Sequence, residues 1–338
     1  MTAEPDEVVV AIDGGNSKTD VLLVDAAGTV LGSSRGPGVS PQSVGVDTCV
    51  RALEGLVVEA LEAGGRAAVK PFGAHTSAYL AGLDLPEEEE ILSAALGARG
   101  WTRSLTVGND TFALLRAGSS DGTGVAVVCG AGINAVGVGK DGRVHRFPAL
   151  GKISGDWGGG LGLGEEALWW AARAEDGRGP HTALQEAVAA RFDAASVVEV
   201  VQRLHFEKLP RGALHTLCPL LFDVADAGDE VARAVVERFI EEICVLVAVI
   251  LRGLALTEAA PEVILGGGVL VGVDAWVIAE IESRCLKVAP RAVVRVVDVA
   301  PVVGAALYGL DTLGATEDAK ARLRSATRLA QATGEQPR

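Results

Sequence analysis

Val8-Val9-Val10-Ala11-Ile12-Asp13-Gly14-Gly15-Asn16-Ser17-Lys18-Thr19 is the stretch that decides the fold. Val8 to Ile12 is a continuous apolar run, the signature of a central strand buried on both faces. Asp13-Gly14-Gly15 is a strong turn signal. Val21 to Val24 then reads as a second strand, Asp25-Ala26-Ala27-Gly28 as a turn, and Val30 to Ser33 as a short third strand. The same order returns further on. Gly124 to Cys129 is apolar, Gly130-Ala131-Gly132 turns, and Ala135 to Val138 is apolar again. Lys140-Asp141-Gly142 then leads to a strand around Val144. Two meanders with small-residue first turns indicate an internal duplication.

Helical spacing covers Gly45 to Ala63, with Val46, Val50, Leu53, Val57 and Leu61 on one stripe. Pro86 to Leu96 has Pro at its start and four Glu in its first turn, where the helix dipole favours acids. Pro71 to Leu80 reads as strand then loop, and Leu105 to Val107 as a short strand. Gly151 to Gly164 reads as a glycine-rich loop before a helix at Glu165 to Ala174. Long helical stretches are expected over Thr182 to Phe206 and Asp229 to Leu256. Glu262 to Leu265 and Val293 to Val299 read as strands, and Ala275 to Leu286 and Pro301 to Leu310 as helices. From about Ala315 the chain is charged, and a helix fraying toward Gly-Glu-Gln-Pro-Arg is expected.

The 338 residues are 49% hydrophobic, which excludes a mainly disordered chain and suits two domains. The formal net charge of -14 offers no basic footprint for nucleic acid. Ile243 to Leu256 is broken by Arg252 and too short to span a bilayer. The acidic start, Met-Thr-Ala-Glu-Pro-Asp-Glu, lacks a signal-peptide pattern, so the expected location is the cytoplasm, with no membrane partner. Cys49, Cys129, Cys218, Cys244 and Cys285 are scattered and form no C-x-x-C pair, which argues for free thiols. The five histidines show no H-x-x-x-H spacing.

Five segments carry candidate chemistry. In Asp13 to Thr19, Gly14 and Gly15 let the backbone approach a ligand, and successive N–H groups can form an anion nest for ATP phosphates. Asn16, Ser17 and Thr19 add uncharged donors, and Lys18 adds positive charge. Asp13 can hold Mg²⁺ through water. A plain hairpin accounts for the same residues, and the spacing is not that of a Walker A loop. Gly130, Ala131, Gly132 and Asn134 repeat the nest. Gly266-Gly267-Gly268 after a strand can form a flat seat for adenosine, or simply a tight turn. Asp110 can take the proton of a substrate hydroxyl, or cap a helix starting at Thr111. Gly155 and Asp156, in Gly155-Asp156-Trp157-Gly158-Gly159-Gly160, can meet sugar hydroxyls, or lie in a surface connection.

Taken in order, Asp-Gly-Gly-Asn-Ser-Lys-Thr, Gly-Asn-Asp, Cys-Gly-Ala-Gly-Ile-Asn, Gly-Asp-Trp-Gly-Gly-Gly and Ile-Leu-Gly-Gly-Gly resemble the BadF/BadG/BcrA/BcrD ATPase family, and within it the N-acetylglucosamine kinases. The resemblance covers about residues 8 to 312. It implies an α/β, two-domain actin-like ATPase of ribonuclease H-like duplicated domains, with the nucleotide cleft between them. The expected division is residues 1–115, completed by the helix near 301–315, then 116–300, then a charged, partly disordered tail at 316–338. It implies ATP and Mg²⁺ as cofactors and a small-molecule sugar as substrate, N-acetylglucosamine becoming its 6-phosphate. Asp13 to Thr19 and Gly130 to Asn134 match the phosphate loops, Gly266 to Gly268 the adenosine loop, Asp110 the base and Asp156 a sugar-binding aspartate. Relatives often dimerise, which makes a homodimer an expectation. Where related kinases place a sugar-binding asparagine, this chain has Ser40, with Gln42 nearby, and Ala131 stands where many carry Thr. These departures leave glucosamine and N-acetylmuramic acid open. The same family also holds ATPase activators of 2-hydroxyacyl-CoA dehydratases, which carry an iron–sulfur cluster on paired cysteines, and no such pair is visible in the sequence.

Overall fold

The computed structural model describes residues 7–333. The acidic N-terminal residues 1–6 and the Gly-Glu-Gln-Pro-Arg end lie outside the described residues. Strands β1 (Val8–Gly14), β2 (Lys18–Asp25), β3 (Val30–Pro37), β4 (Gly73–Leu80) and β5 (Thr102–Asn109) form one sheet in the order β3-β2-β1-β4-β5. β1 pairs antiparallel with β2 and parallel with β4. Strands β6 (Gly124–Cys129), β7 (Ile133–Val138), β8 (Val144–Arg146), β9 (Glu262–Gly266) and β10 (Val293–Val296) form the other, in the order β10-β9-β6-β7-β8. Read from its far edge, the second sheet repeats the first, strand for strand. The duplication seen in the sequence is therefore a duplication of topology.

The chain divides into two compact units: Met1–Ala126 with Val136–Pro148 and Val297–Arg338, and Val127–Ala135 with Ala149–Val296. The first holds helices α1 (Pro41–Val44), α2 (Val46–Ala63), α3 (Pro86–Gly97) and α4 (Asp110–Gly118). The second holds α5 (Gly159–Glu175), α6 (Leu184–Arg191), α7 (Val197–His205), α8 (Leu217–Asp226), α9 (Glu230–Gly253), α10 (Gly268–Gly272) and α11 (Ala275–Val288). The chain then returns to the first unit with α12 (Pro301–Thr312) and α13 (Glu317–Thr333).

In the first unit β1 is buried along its whole length. Alternate residues serve two cores, as strand geometry requires. Val8, Val10 and Ile12 pack with Leu53, Val57 and Leu61 of α2 and Leu92 and Leu96 of α3. Val9 and Ala11 pack with Ala113 of α4 and with Val303, Ala306 and Leu310 of α12. Helix α12 lies so close to α4 that a Cβ on Gly304 would stand 1.9 Å from the Ala113 carbonyl oxygen. Arg116 of α4 donates from Nε to Asp311 of α12 at 3.0 Å, and Lys320 of α13 pairs with the same carboxylate at 2.6 Å.

Two sequence expectations are corrected. Gly159 to Gly164 is not loop but the first turns of α5, because Gly160 N–H and Leu161 N–H dock on the carbonyls of Gly130 and Ala131. Thr182 to Phe206 is two helices, broken where Asp193 takes φ 47° and Ser196 caps α7 through a bond from Glu199 N–H.

The α12–α4 contact has no room for a methyl, whereas Gly55, on the exposed side of α2, has open space around its Cβ position. Gly304→Ala should destabilise by about 1–3 kcal/mol or more through overpacking against backbone. Gly55→Ala should stabilise by up to about 1 kcal/mol through helix propensity. Thermal melts of the two variants should therefore move in opposite directions. Equal shifts would discard the close-packing account.

Candidate functional site

In the first unit the site is built on the β1–β2 hairpin. Gly14 pairs with Thr19 and Asp13 with Asp20, and Gly15 N–H closes the turn on the Lys18 carbonyl at 2.8 Å. Asn16, Ser17 and Lys18 are exposed at the tip, Gly15 is half-buried, and Thr19 is fully buried with no partner for its hydroxyl among the described residues. Gly38 rests on the tip; a Cβ there would stand 2.2 Å from the Asn16 carbonyl oxygen.

Strand alternation points Asp13 to the α4 side of the sheet, with Val9 and Ala11. Cross-strand register continues the row through Asp20 to Arg35. Arg35 and Lys18 both pair with Asp20, Lys18 at 3.3 Å. Asp110 opens α4 and is half-buried. Burial first, then the charges of Asp110 and Asp20, push the Asp13 carboxyl up to about 8, against the pull of Lys18 and Arg35. Burial and the neighbouring Asp84 push Asp110 up to about 7, eased by the N–H groups of Thr111 and of Asp110 itself. The helix cap is not Asp110. Asn109 takes that role, its side-chain oxygen accepting from Thr111 N–H at 3.0 Å and from the Thr111 hydroxyl at 2.6 Å. Asn109 also donates to Asp84 at 2.9 Å and to the Leu83 carbonyl at 3.2 Å. It thereby ties the β4–α3 loop to the start of α4.

Ser40 is buried, and its hydroxyl donates to Ser43 at 2.9 Å. The exposed Gln42 donates to Glu88 of α3 at 2.9 Å.

The second unit gathers three glycine segments that stand far apart in sequence. Gly130 N–H closes its hairpin on Gly132 O at 3.0 Å, and Asn134 accepts from Ala135 N–H at 2.7 Å. Gly160 N–H reaches Gly130 O at 2.7 Å. Gly267 has φ 88°, and a Cβ on it would meet the Cys129 carbonyl oxygen at 2.4 Å. Gly267 is also the residue before α10, whose first residue is Gly268, and Gly266 ends β9. Asp156 is held in a tight loop after Gly155, which takes φ 90°. Its Oδ2 accepts from Gly151 N–H at 2.8 Å and from the Ser154 hydroxyl at 2.7 Å.

Asp20, Arg35, Asp84 and Asn109 were not singled out in the sequence. The first two were accessible in principle: four residues between Gly14 and its partner Thr19 place Asp20 opposite Asp13. Asp84 required the tertiary path of the β4–α3 loop.

No group of three His, Cys, Asp or Glu side chains among the described residues could hold a metal by itself. The carboxylates around Asp13 nevertheless suit Mg²⁺. They are oxygen donors whose mutual repulsion a divalent cation relieves, and Mg²⁺ is commonly held by one or two carboxylates with water and phosphate oxygens.

Duplicated five-stranded sheets with glycine hairpins at the ends of their first strands define an α/β, two-domain actin-like ATPase. The BadF/BadG/BcrA/BcrD ATPase family pattern matches residues 10–309, and the chain belongs to that family. It is 24% identical over 275 residues to an N-acetyl-D-glucosamine kinase of Dictyostelium discoideum, covering 78% of this chain and 86% of the relative. It is also 24% identical over 267 residues to an N-acetylmuramic acid/N-acetylglucosamine kinase of Clostridium acetobutylicum, covering 79% and 86%. The crystal structure of a candidate N-acetylglucosamine kinase from Chromobacterium violaceum has the same fold, with a TM-score of 0.70 at 20% identity over 90% of this chain and 99% of that one. No helix among the described residues is long and apolar enough to cross a membrane.

A raised carboxyl pKa means that the folded state binds the proton more tightly than the unfolded state. Stability attributable to that group is full below the unfolded value of 3.8 and falls as pH rises toward about 8 for Asp13. Asp13→Asn removes the charge. Without nucleotide, its melting temperature relative to the parent should rise from pH 5 to pH 8, by several degrees. A pH-independent difference would show that Asp13 ionises freely in the folded protein.

Proposed function

We propose that this protein transfers the γ-phosphoryl group of ATP to the 6-hydroxyl of an amino sugar, with N-acetylglucosamine as the first candidate. The observation that carries the reading is Asp110, a half-buried carboxyl at the start of α4 with a proton affinity near neutrality, in the same electrostatic field as Asp13. A base works best when its pKa lies near the working pH. Phosphoryl transfer asks a protein mainly for positioning and charge neutralisation, plus one group to orient the attacking hydroxyl. The family's ATPase character and the names of the two relatives support the same choice.

In this reading Asp110 accepts a hydrogen bond from the sugar hydroxyl and receives its proton as the new O–P bond forms. Asn109 fixes the start of α4, and hence Asp110, through its bonds to Thr111 and Asp84. In the hairpins Gly14 to Lys18 and Gly130 to Asn134, backbone N–H groups other than those of Gly15 and Gly130, which close the turns, hold phosphate oxygens. Gly266 to Gly268 seats adenosine, where a side chain on Gly267 would collide with β6. Asp156, anchored through one oxygen, keeps the other for sugar hydroxyls. Ser40 and Gln42 act on the sugar only through the backbone around them or after leaving Ser43 and Glu88. Asp13 would hold Mg²⁺ through water, and the ion would supply neutralisation of the phosphate charge.

Purified protein with MgATP should release ADP in proportion to one sugar from a panel of N-acetylglucosamine, glucosamine, N-acetylmuramic acid, N-acetylmannosamine and glucose. Asp110→Asn should lower kcat by on the order of 10² to 10⁴ while MgATP affinity stays nearly constant. Sugar-independent ADP release would replace the kinase reading with an activator ATPase. Unchanged turnover in Asp110→Asn would remove Asp110 from the role of base.

A further inference from the structure

The second unit brings two thiols together outside everything so far described. Cys244 lies in α9 and Cys285 in the last turn of α11, and these helices pack side by side. The two thiols face one another closely enough that each perturbs the other's proton affinity. Cys244 Sγ also lies 3.9 Å from the carbonyl oxygen of Ile281, one helical turn before Cys285, which places it against that turn of α11. Cys244 is half-buried and Cys285 is buried at 2% exposure. Cys285 differs from the other four: contact with Cys285 and burial raise the Cys244 thiol. Cys49, Cys129 and Cys218 are buried, and burial pushes them up to about 11, 12 and 12. For Cys285 the hydrogen bond from Cys244 acts in the opposite direction and holds the thiol below its usual range, against the cost of burial.

We propose that Cys244 and Cys285 form a redox-active dithiol, a modification site at which a peroxide closes a disulfide between α9 and α11. The Cys285 thiolate attacks one peroxide oxygen. The O–O bond breaks, Cys285 becomes a sulfenic acid, and the leaving hydroxide takes the thiol proton to become water. The Cys244 sulfur then attacks the sulfenic sulfur. The S–O bond breaks, the S–S bond forms, and a second water leaves with the Cys244 proton. The two thiols lose two electrons and the peroxide gains them, so no further reagent is needed. A condensing thiol already in contact explains why the sulfenic acid would not persist. The half-buried position of Cys244 gives a small oxidant and a reductant an approach to the pair.

The bridge joins residues 41 positions apart in sequence (285 − 244) on neighbouring helices, so it restricts the unfolded chain and should raise thermal stability by several degrees. Reduction should restore the original melt. This effect does not depend on the phosphotransfer reading, because none of the residues proposed for that chemistry belongs to α9 or α11.

The test is to titrate the full-length protein with hydrogen peroxide. Accessible and buried thiols are then counted after denaturation, and the intact mass and the tryptic peptides are measured. The expected result is a fall from five free thiols to three, a mass loss of about 2 Da and a single cross-linked peptide pair containing Cys244 and Cys285. Dithiothreitol should reverse all three. Phenylarsine oxide, which needs two neighbouring thiols, should protect the same two cysteines from alkylation in the reduced protein. Cys244→Ser and Cys285→Ala should each abolish both effects. If one variant fails to fold, the other and the arsenical footprint on the parent protein still decide. Oxygen addition at single cysteines without a Cys244–Cys285 peptide, or arsenical protection of a different pair, would overturn the assignment.

Discussion

The architecture of the first unit depends on the burial of β1 from both sides. A strand with one wet face needs only one layer of helices. Val8 to Ile12 has no polar residue to give to water, so α2 and α3 must cover one face and α4 and α12 the other. That requirement explains why the chain comes back after the second unit to supply α12. It also fixes the chemistry at the strand's end. Asp13 is the first residue of β1 that carries charge, and it emerges into a setting already emptied of water by the layers that β1 demanded. Its high proton affinity is a by-product of the packing, reinforced by Asp110 and Asp20.

The second sheet repeats the strand order of the first, but its glycine turns present different chemistry. Around Asp13 the polar groups are charged side chains. Around Gly130, Gly160 and Gly267 they are backbone N–H and C=O groups brought close by the absence of Cβ atoms. One fold thus presents two kinds of surface: a cluster of carboxylates with its cationic partners, and a backbone surface opened by missing Cβ atoms. For a chain with net charge -14, local devices of this sort must do what the overall field does not.

Much of this was legible in the sequence because it rests on strong local signals. The run Val8 to Ile12, the glycine turns and their repetition at Gly124 to Val138 identify the sheets, since two-sided burial leaves a mark that needs no knowledge of the partner. The glycine start of α5 was not legible. Glycine is a poor helix former, and only the docking of Gly160 and Leu161 on the hairpin carbonyls holds those turns. Asp110 was read as a base or a helix cap, and its neighbour Asn109 does the capping. Two adjacent residues with similar cap preference cannot be separated without the backbone. Asp84 and the Cys244–Cys285 contact depend on loops and helices distant in sequence, for which no local pattern exists. The places of Ser40 and Gln42 follow from bonds to Ser43 and Glu88 that the sequence does not announce.

The way α12 and α13 complete the first unit sets the order in which a growing chain can fold. Segments before and after residues 149–296 share one core, and Val303, Ala306 and Leu310 are indispensable to one face of β1. Arg324 donates to the carbonyls of Arg116, Ala117 and Ser119, closing the end of α4 with a residue made two hundred positions later. A ribosome therefore delivers the inserted unit whole while the unit that begins the chain still shows an uncovered strand to the cell. During that interval β1 is a sticky surface awaiting its own distant helix, and protection of nascent chains matters most for this part of the molecule.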